Sequence, residues 1–143
     1  MPGPQYLTPK PVSPSRSTKR FTVEEANRTL PLVKRIVGDI VRTHADVTRL
    51  QAVVESAATK DQTAAQKALN HAIDHLQAYA DELTGIGCEL KDYQTGLIDF
   101  IGRHEGHDVY LCWKLGEEKI GFWHEKDAGV SGRQPIASLK EGE

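Results

Sequence analysis

Cysteine is nearly absent from this 143-residue chain, which has only Cys88 and Cys112. Two thiols cannot staple a small scaffold, so a disulfide framework is excluded. A reduced pair in a cytoplasmic protein is the simplest expectation. Long apolar runs are also missing. None approaches the roughly 20 residues that span a bilayer, and no membrane partner is expected. No apolar stretch follows the N-terminal charges, so no signal peptide is expected. Net positive charge is lacking as well. The chain carries −2 overall, and residues 1–20 hold Lys10, Arg16, Lys19 and Arg20 without an acid, leaving the body acidic. Such a body offers no electrostatic footprint for nucleic acid. Paired-cysteine metal motifs, HExxH, a nucleophile elbow, a P-loop and a dinucleotide fingerprint are all absent. Enzymes that announce themselves by a short motif are therefore excluded.

What is present is enough apolar residue for one core, hence one domain. Residues 1–20 contain five of the seven prolines. They read as an extended, disordered, basic leader with little to pack. At Phe21 the pattern changes. Thr22 and Glu25 have the spacing of a capping box, opening a helix. Pro31 lies where a helix should continue, at a cost of about 3 kcal/mol. It predicts either a kink or a short first helix ending near Thr29, with a new helix from Leu30. Leu30, Val33, Val37, Ile40, His44, Val47, Gln51 and Val54 then step by three and four. Ile36, Val41, Leu50 and Val53 widen the stripe. A polar break at 59–62, with Asp61 as the cap, leads to a second stripe through Leu69, Ala72, Leu76, Tyr79 and Leu83. Gly85 and Gly87 end it. An antiparallel helical hairpin over 21–87 is the expectation.

Beyond Gly87 the period changes to two. Segments 97–103, 108–115 and 119–126 are rich in Ile, Val, Tyr, Phe and Trp and predict strands, with turns at Gly106 and 116–118. The expected fold is α+β: the hairpin packed on a three-stranded antiparallel meander, with the β unit covering 88–137. The segment from Ala128 is expected to wrap rather than pair, and 138–143 to be a tail. Trp113 and Trp123 read as core.

The polar residues that carry chemistry cluster late in the chain. His71 and His75 share a helix face, but no third ligand accompanies them, so they read as solvated. His44 is a single imidazole and makes no site alone. Asp99 alternates with Leu97 and Ile101, and His124 with Ile120 and Phe122. Each points with apolar neighbours, so each needs a partner when buried. The two are expected within hydrogen-bond or shared-ligand reach. Cys112, Glu117, Glu125, Asp127 and Arg133 complete the candidate polar cluster. Within it Asp99, Glu117 and His124 are the candidate ligands of a divalent metal cofactor.

Several short blocks stand out together: Phe21-Thr22-x-Glu24-Glu25-Ala26-Asn27 with Leu30-Pro31; Leu90-Lys91-Asp92; Gly96-Leu97-Ile98-Asp99-Phe100. Others follow: Val109-Tyr110-Leu111-Cys112-Trp113 with Leu115-Gly116-Glu117; Trp123-His124-Glu125; Gly129-x-x-Gly132-Arg133-Gln134-Pro135. Jointly they resemble the bacterial domain-of-unknown-function family 2203 over about 21–137. The resemblance implies those domain limits and a cytosolic bacterial setting. It brings no activity, cofactor or catalytic residue with it. Two functions then compete. The width of the helical stripe favours a homo-oligomeric assembly or interaction module, dimerising through the hairpin. That reading leads, and the alternative is a metal-dependent or acid–base site built on Asp99, Glu117 and His124, with hydrolysis as the reaction class it would serve.

Overall fold

The computed structural model describes residues 19–142. The leader expected at 1–20 lies outside the described residues except for Lys19 and Arg20. Helix α1 spans Val23–Ser56 and helix α2 spans Gln62–Ile86, joined through a single 3-10 turn at Thr59–Asp61. Five strands follow: β1 (Cys88–Asp92), β2 (Leu97–His104), β3 (His107–Lys114), β4 (Phe122–His124) and β5 (Gln134–Pro135). They form one antiparallel sheet in sequence order.

Helix α1 begins as the capping box dictates. The Thr22 hydroxyl accepts from the Glu25 amide, and the Glu25 carboxylate accepts from the Thr22 amide. The short first helix ending near Thr29 does not form, since α1 runs on through Pro31. Pro31 is exposed, while Ala26, Leu30 and Val33 on either side of it are buried. Burial of those neighbours offsets the lost hydrogen bond, and the side facing water lets the freed carbonyl be solvated. At the far end Asp61 makes no side-chain cap. Instead the Gln62 side-chain Nε2 donates to the Val54 and Ala57 carbonyls, closing α1. Gly87, with φ of 115°, ends α2 in the left-handed conformation that glycine adopts at least cost.

The expectation of three strands is corrected to five. β1 was hidden because Glu89 and Lys91 interrupt its apolar face, as charges commonly do on an edge strand. β5 is two residues long and contains Pro135, which only an edge tolerates. It pairs with Phe122 and Trp123, so this part of the C-terminal segment does not merely wrap. β4 is also shorter than the expected 119–126.

The core joins both helices to one sheet face. Leu30, Val33, Val37 and Ile40 of α1 and Leu69, Leu76 and Leu83 of α2 cluster with Ile98, Phe100, Val109, Leu111, Trp113 and Trp123. Trp113 and Trp123 are thus core, as expected. Gly96 permits the close approach: a Cβ there would lie 2.7 Å from Val37 and 2.9 Å from Leu115. Alternation sends Asp99, Cys112 and His124 to the opposite face. Both cysteines are free thiols and buried. Among the described residues no helix is long and apolar enough to cross a membrane.

Candidate functional site

The site is made by register. Asp99 on β2 lies directly opposite Cys112 on β3. His124 on β4 lies opposite Tyr110, two residues before Cys112. Diagonal neighbours of this kind are within reach of long side chains. The imidazole of His124 accordingly crosses β3 to the Asp99 carboxylate, with Nε2 at 3.3 Å from Oδ1 and 3.2 Å from Oδ2. Cys112 completes the group, and one ligand atom from each residue lies within 4.8 Å of the others. All three are buried: Asp99 is 2 % exposed, His124 3 % and Cys112 0 %.

The other ring nitrogen decides the tautomer. Nδ1 of His124 lies 2.8 Å from the Glu125 carbonyl oxygen. A carbonyl only accepts, so Nδ1 carries the proton. In the neutral ring Nε2 is then a lone pair aimed at two carboxylate oxygens. That arrangement is repulsive unless a proton or a cation lies between them. Burial pushes the Asp99 carboxyl above its usual range, against the pull of His124 and Lys91. Burial, with the Asp99 charge adding to it, pushes the Cys112 thiol up to about 12. The thiol stays protonated at neutral pH in the absence of a metal, donating to Asp99.

Glu117, expected as a ligand, is not in this group. Its Oε2 accepts from Arg133 at 2.8 Å and its Oε1 from the Lys114 amide at 3.0 Å. Arg133, also expected in the cluster, is held by Glu117 with its guanidinium 4.0 Å above the Phe122 ring, and its Nε is buried without a hydrogen-bond partner. Glu125 contributes its carbonyl, while its carboxylate meets His107 Nε2 at 2.9 Å. Asp127 is exposed in the turn after β4. Away from the site, the His44 ring meets Tyr93 at a tilt, and the rings of the exposed His71 and His75 lie 5.0 Å apart on α2.

A cavity of about 260 Å³ opens over the cluster, with Asp99 and His124 in its lining. Lys91, Tyr110 and Lys126 stand beside them, and none is among the site residues expected from sequence. Tyr110 was detectable, since it alternates with Cys112 on one face of a strand already expected. Lys91 was not, because its strand was missed.

No curated protein and no solved structure gives a significant match to this chain. The model of one family, described as an uncharacterized conserved protein (DUF2203), matches residues 19–136. That span takes in both helices, β1 to β5 and the whole Asp99–Cys112–His124 group, and the chain belongs to the DUF2203 family.

Proposed function

We propose that Asp99, Cys112 and His124 bind a divalent metal, zinc fitting best, in a metal-dependent hydrolytic site that opens into the cavity. The observation that carries this is the Nε2 lone pair facing the Asp99 carboxylate. A cation placed there relieves the repulsion and takes all three donors. Oxygen, sulfur and nitrogen ligands together suit zinc better than a hard cation. Ligand atoms on a tetrahedral zinc ion, with bonds of ~2.0–2.1 Å, sit about 3.3 Å apart. The His124–Asp99 separations of 3.2 and 3.3 Å fit that spacing. The Glu125 carbonyl is the kind of outer partner that orients a ligating histidine. Three protein ligands leave a fourth position for water, which zinc acidifies toward about pH 7.

Less supports the assembly reading. Ile36 of the wide stripe is buried within the chain, and Val41 and Leu50 are partly covered. Among the described residues, the large apolar side chains that α1 leaves exposed are Leu32 and Val53.

The test is metal content. Full-length protein, stripped with chelator and dialysed, is titrated with zinc and assayed by mass spectrometry of the native ion. One zinc per chain, lost in His124→Ala, is expected. Wild type that takes up neither zinc nor cobalt at micromolar concentration leaves only a proton in the gap, and the proposal fails.

A further inference from the structure

We infer that the cavity above the cluster accepts a small molecule bearing one oxyanion, carboxylate or phosphate, held by Lys91 and Lys126. This deepens the metal-site reading and rests on it for what the far end of the molecule meets.

Two ammonium groups from distant parts of the chain converge on one ring. Lys91 Nζ lies 4.5 Å from the Tyr110 ring centroid and Lys126 Nζ 5.5 Å from it. Both residues line the cavity. Bringing two like charges together costs free energy unless an anion shares them. Glu89 supplies part of that charge. Its Oε1 accepts from Lys91 at 3.0 Å and from the Tyr110 hydroxyl at 3.2 Å. Asp108 also feels the Lys126 charge, but its carboxylate is held by Arg20, so Glu89 against two ammonium groups leaves a net charge of about +1 at the cavity mouth. The floor adds nothing when metal is bound, because a divalent ion is balanced by the Asp99 carboxylate and the Cys112 thiolate. The balance therefore calls for one oxyanion.

The rest of the lining sets the size and character of the molecule. At about 260 Å³ the space falls below the roughly 300–1,000 Å³ of pockets for drug-sized ligands. It suits a short skeleton. Leu97 and Val130 provide apolar contact for that skeleton. Arg133 is not among the residues lining the cavity, and its guanidinium bonds Glu117 and covers the Phe122 ring. The anion is thus met by point charges rather than a planar fork. An oxyanion on the lysines places the opposite end of a short molecule over His124 and the open metal position.

The probes are sodium acetate and inorganic phosphate, titrated separately into the cobalt-loaded full chain, with sodium chloride as the ionic-strength control. The thiolate-to-cobalt absorption reports on the metal position. One of the two anions is expected to shift the spectrum saturably, and which one does so identifies the oxyanion class. The double variant Lys91→Gln/Lys126→Gln should bind that anion about tenfold more weakly or worse, with cobalt uptake unchanged. Equal affinity in wild type and double variant overturns the inference, and so does a wild-type spectrum indifferent to both anions. Absence of cobalt uptake fails the metal reading separately. In that case the anions are titrated into metal-free protein and the amide shifts of Gly129 and Val130 are followed. Shifts that depend on the two lysines uphold the anion site alone, and their absence overturns it too.

Discussion

Asp99 and His124 meet across a strand to which neither belongs. The carboxylate comes from β2 and the imidazole from β4, and the 3.2 Å contact between them spans β3. The contact ties three strands together on the face away from the helices. It also makes the pair sensitive to whatever cation lies between the two groups.

Metal-free and metal-bound protein should respond oppositely to acid. Burial raises the folded-state pKa of Asp99. A carboxyl raised in this way contributes stability below its unfolded value of about 3.9, and loses it as pH rises through the folded value. In chelator-treated protein, Asp99→Asn should match or exceed wild type at pH 7, with the difference growing from about pH 4 upward. With zinc the order reverses, because protons compete with the metal and the variant lacks a ligand. At zinc about 100-fold above its Kd, wild type should gain about 2.7 kcal/mol that His124→Ala does not. Thermal melts of the three proteins at several pH values check this.

Zinc uptake should release protons. The Cys112 thiol, held up at about 12, is protonated at neutral pH. A second proton lies between Asp99 and His124 when no metal is there. Binding expels both, so about two protons per zinc should appear in weakly buffered solution. Cys112→Ser should bind zinc more weakly and release fewer. Indicator absorbance during a zinc titration measures the count, and zinc uptake without proton release would contradict the assignment of Cys112 as a ligand.

A second ion pair fastens the N-terminal end of the described chain. Arg20 forms a parallel bridge with Ile101, and its guanidinium meets the Asp108 carboxylate at 2.8 and 3.0 Å. The Arg20 hydrogen bond holds the Asp108 carboxyl below the usual range, with its charge and those of Lys126 and Arg103 assisting. A depressed carboxyl contributes stability above its unfolded value and loses it as pH falls through the folded value. Arg20→Ala should therefore melt below wild type at pH 7. The gap should close as pH drops below about 4, and shrink at high salt because the pair is partly exposed. Melts in acetate and phosphate buffers at two salt concentrations provide the check.

How much was legible in the sequence depended on how each element is coded. The capping box and the three-four stripes are local patterns, and α1 and α2 follow from them. β2 and β3 alternate clearly enough to be found. β1 does not, since Glu89 and Lys91 carry its charged outer face, and β5 has only Gln134 and Pro135. Asp99 and His124 were marked by being polar among apolar alternates, which is a signal that survives without coordinates. Glu117 was misplaced for a different reason. Its partner Arg133 arrives by a loop return through Gly129 and Gly132, and no periodicity encodes where such a loop lands. Lys91 and Lys126 look like ordinary surface charges until the sheet brings them to Tyr110.

Pro31 supplies the last test, because local rules and tertiary packing disagree there. The ring removes one hydrogen bond to the Asn27 carbonyl and crowds it, which in an exposed helix costs about 3 kcal/mol relative to alanine. The helix nevertheless continues from Val23 to Ser56. It does so because buried residues on both sides of Pro31 anchor it to the sheet and to α2. The half-buried Asn27 adds an anchor to the loop before β4, its side-chain oxygen accepting from the Ile120 amide at 2.8 Å. Lys34 is another, donating to the Glu118 carbonyl at 2.7 Å. If packing overrides the local penalty, Pro31→Ala recovers part of it without changing the fold. The expected gain is about 1–3 kcal/mol in urea unfolding, with an unchanged m-value and unchanged zinc stoichiometry. A loss of stability would instead show that the proline geometry sets the angle at which the first turns of α1 reach Ile120 and the sheet.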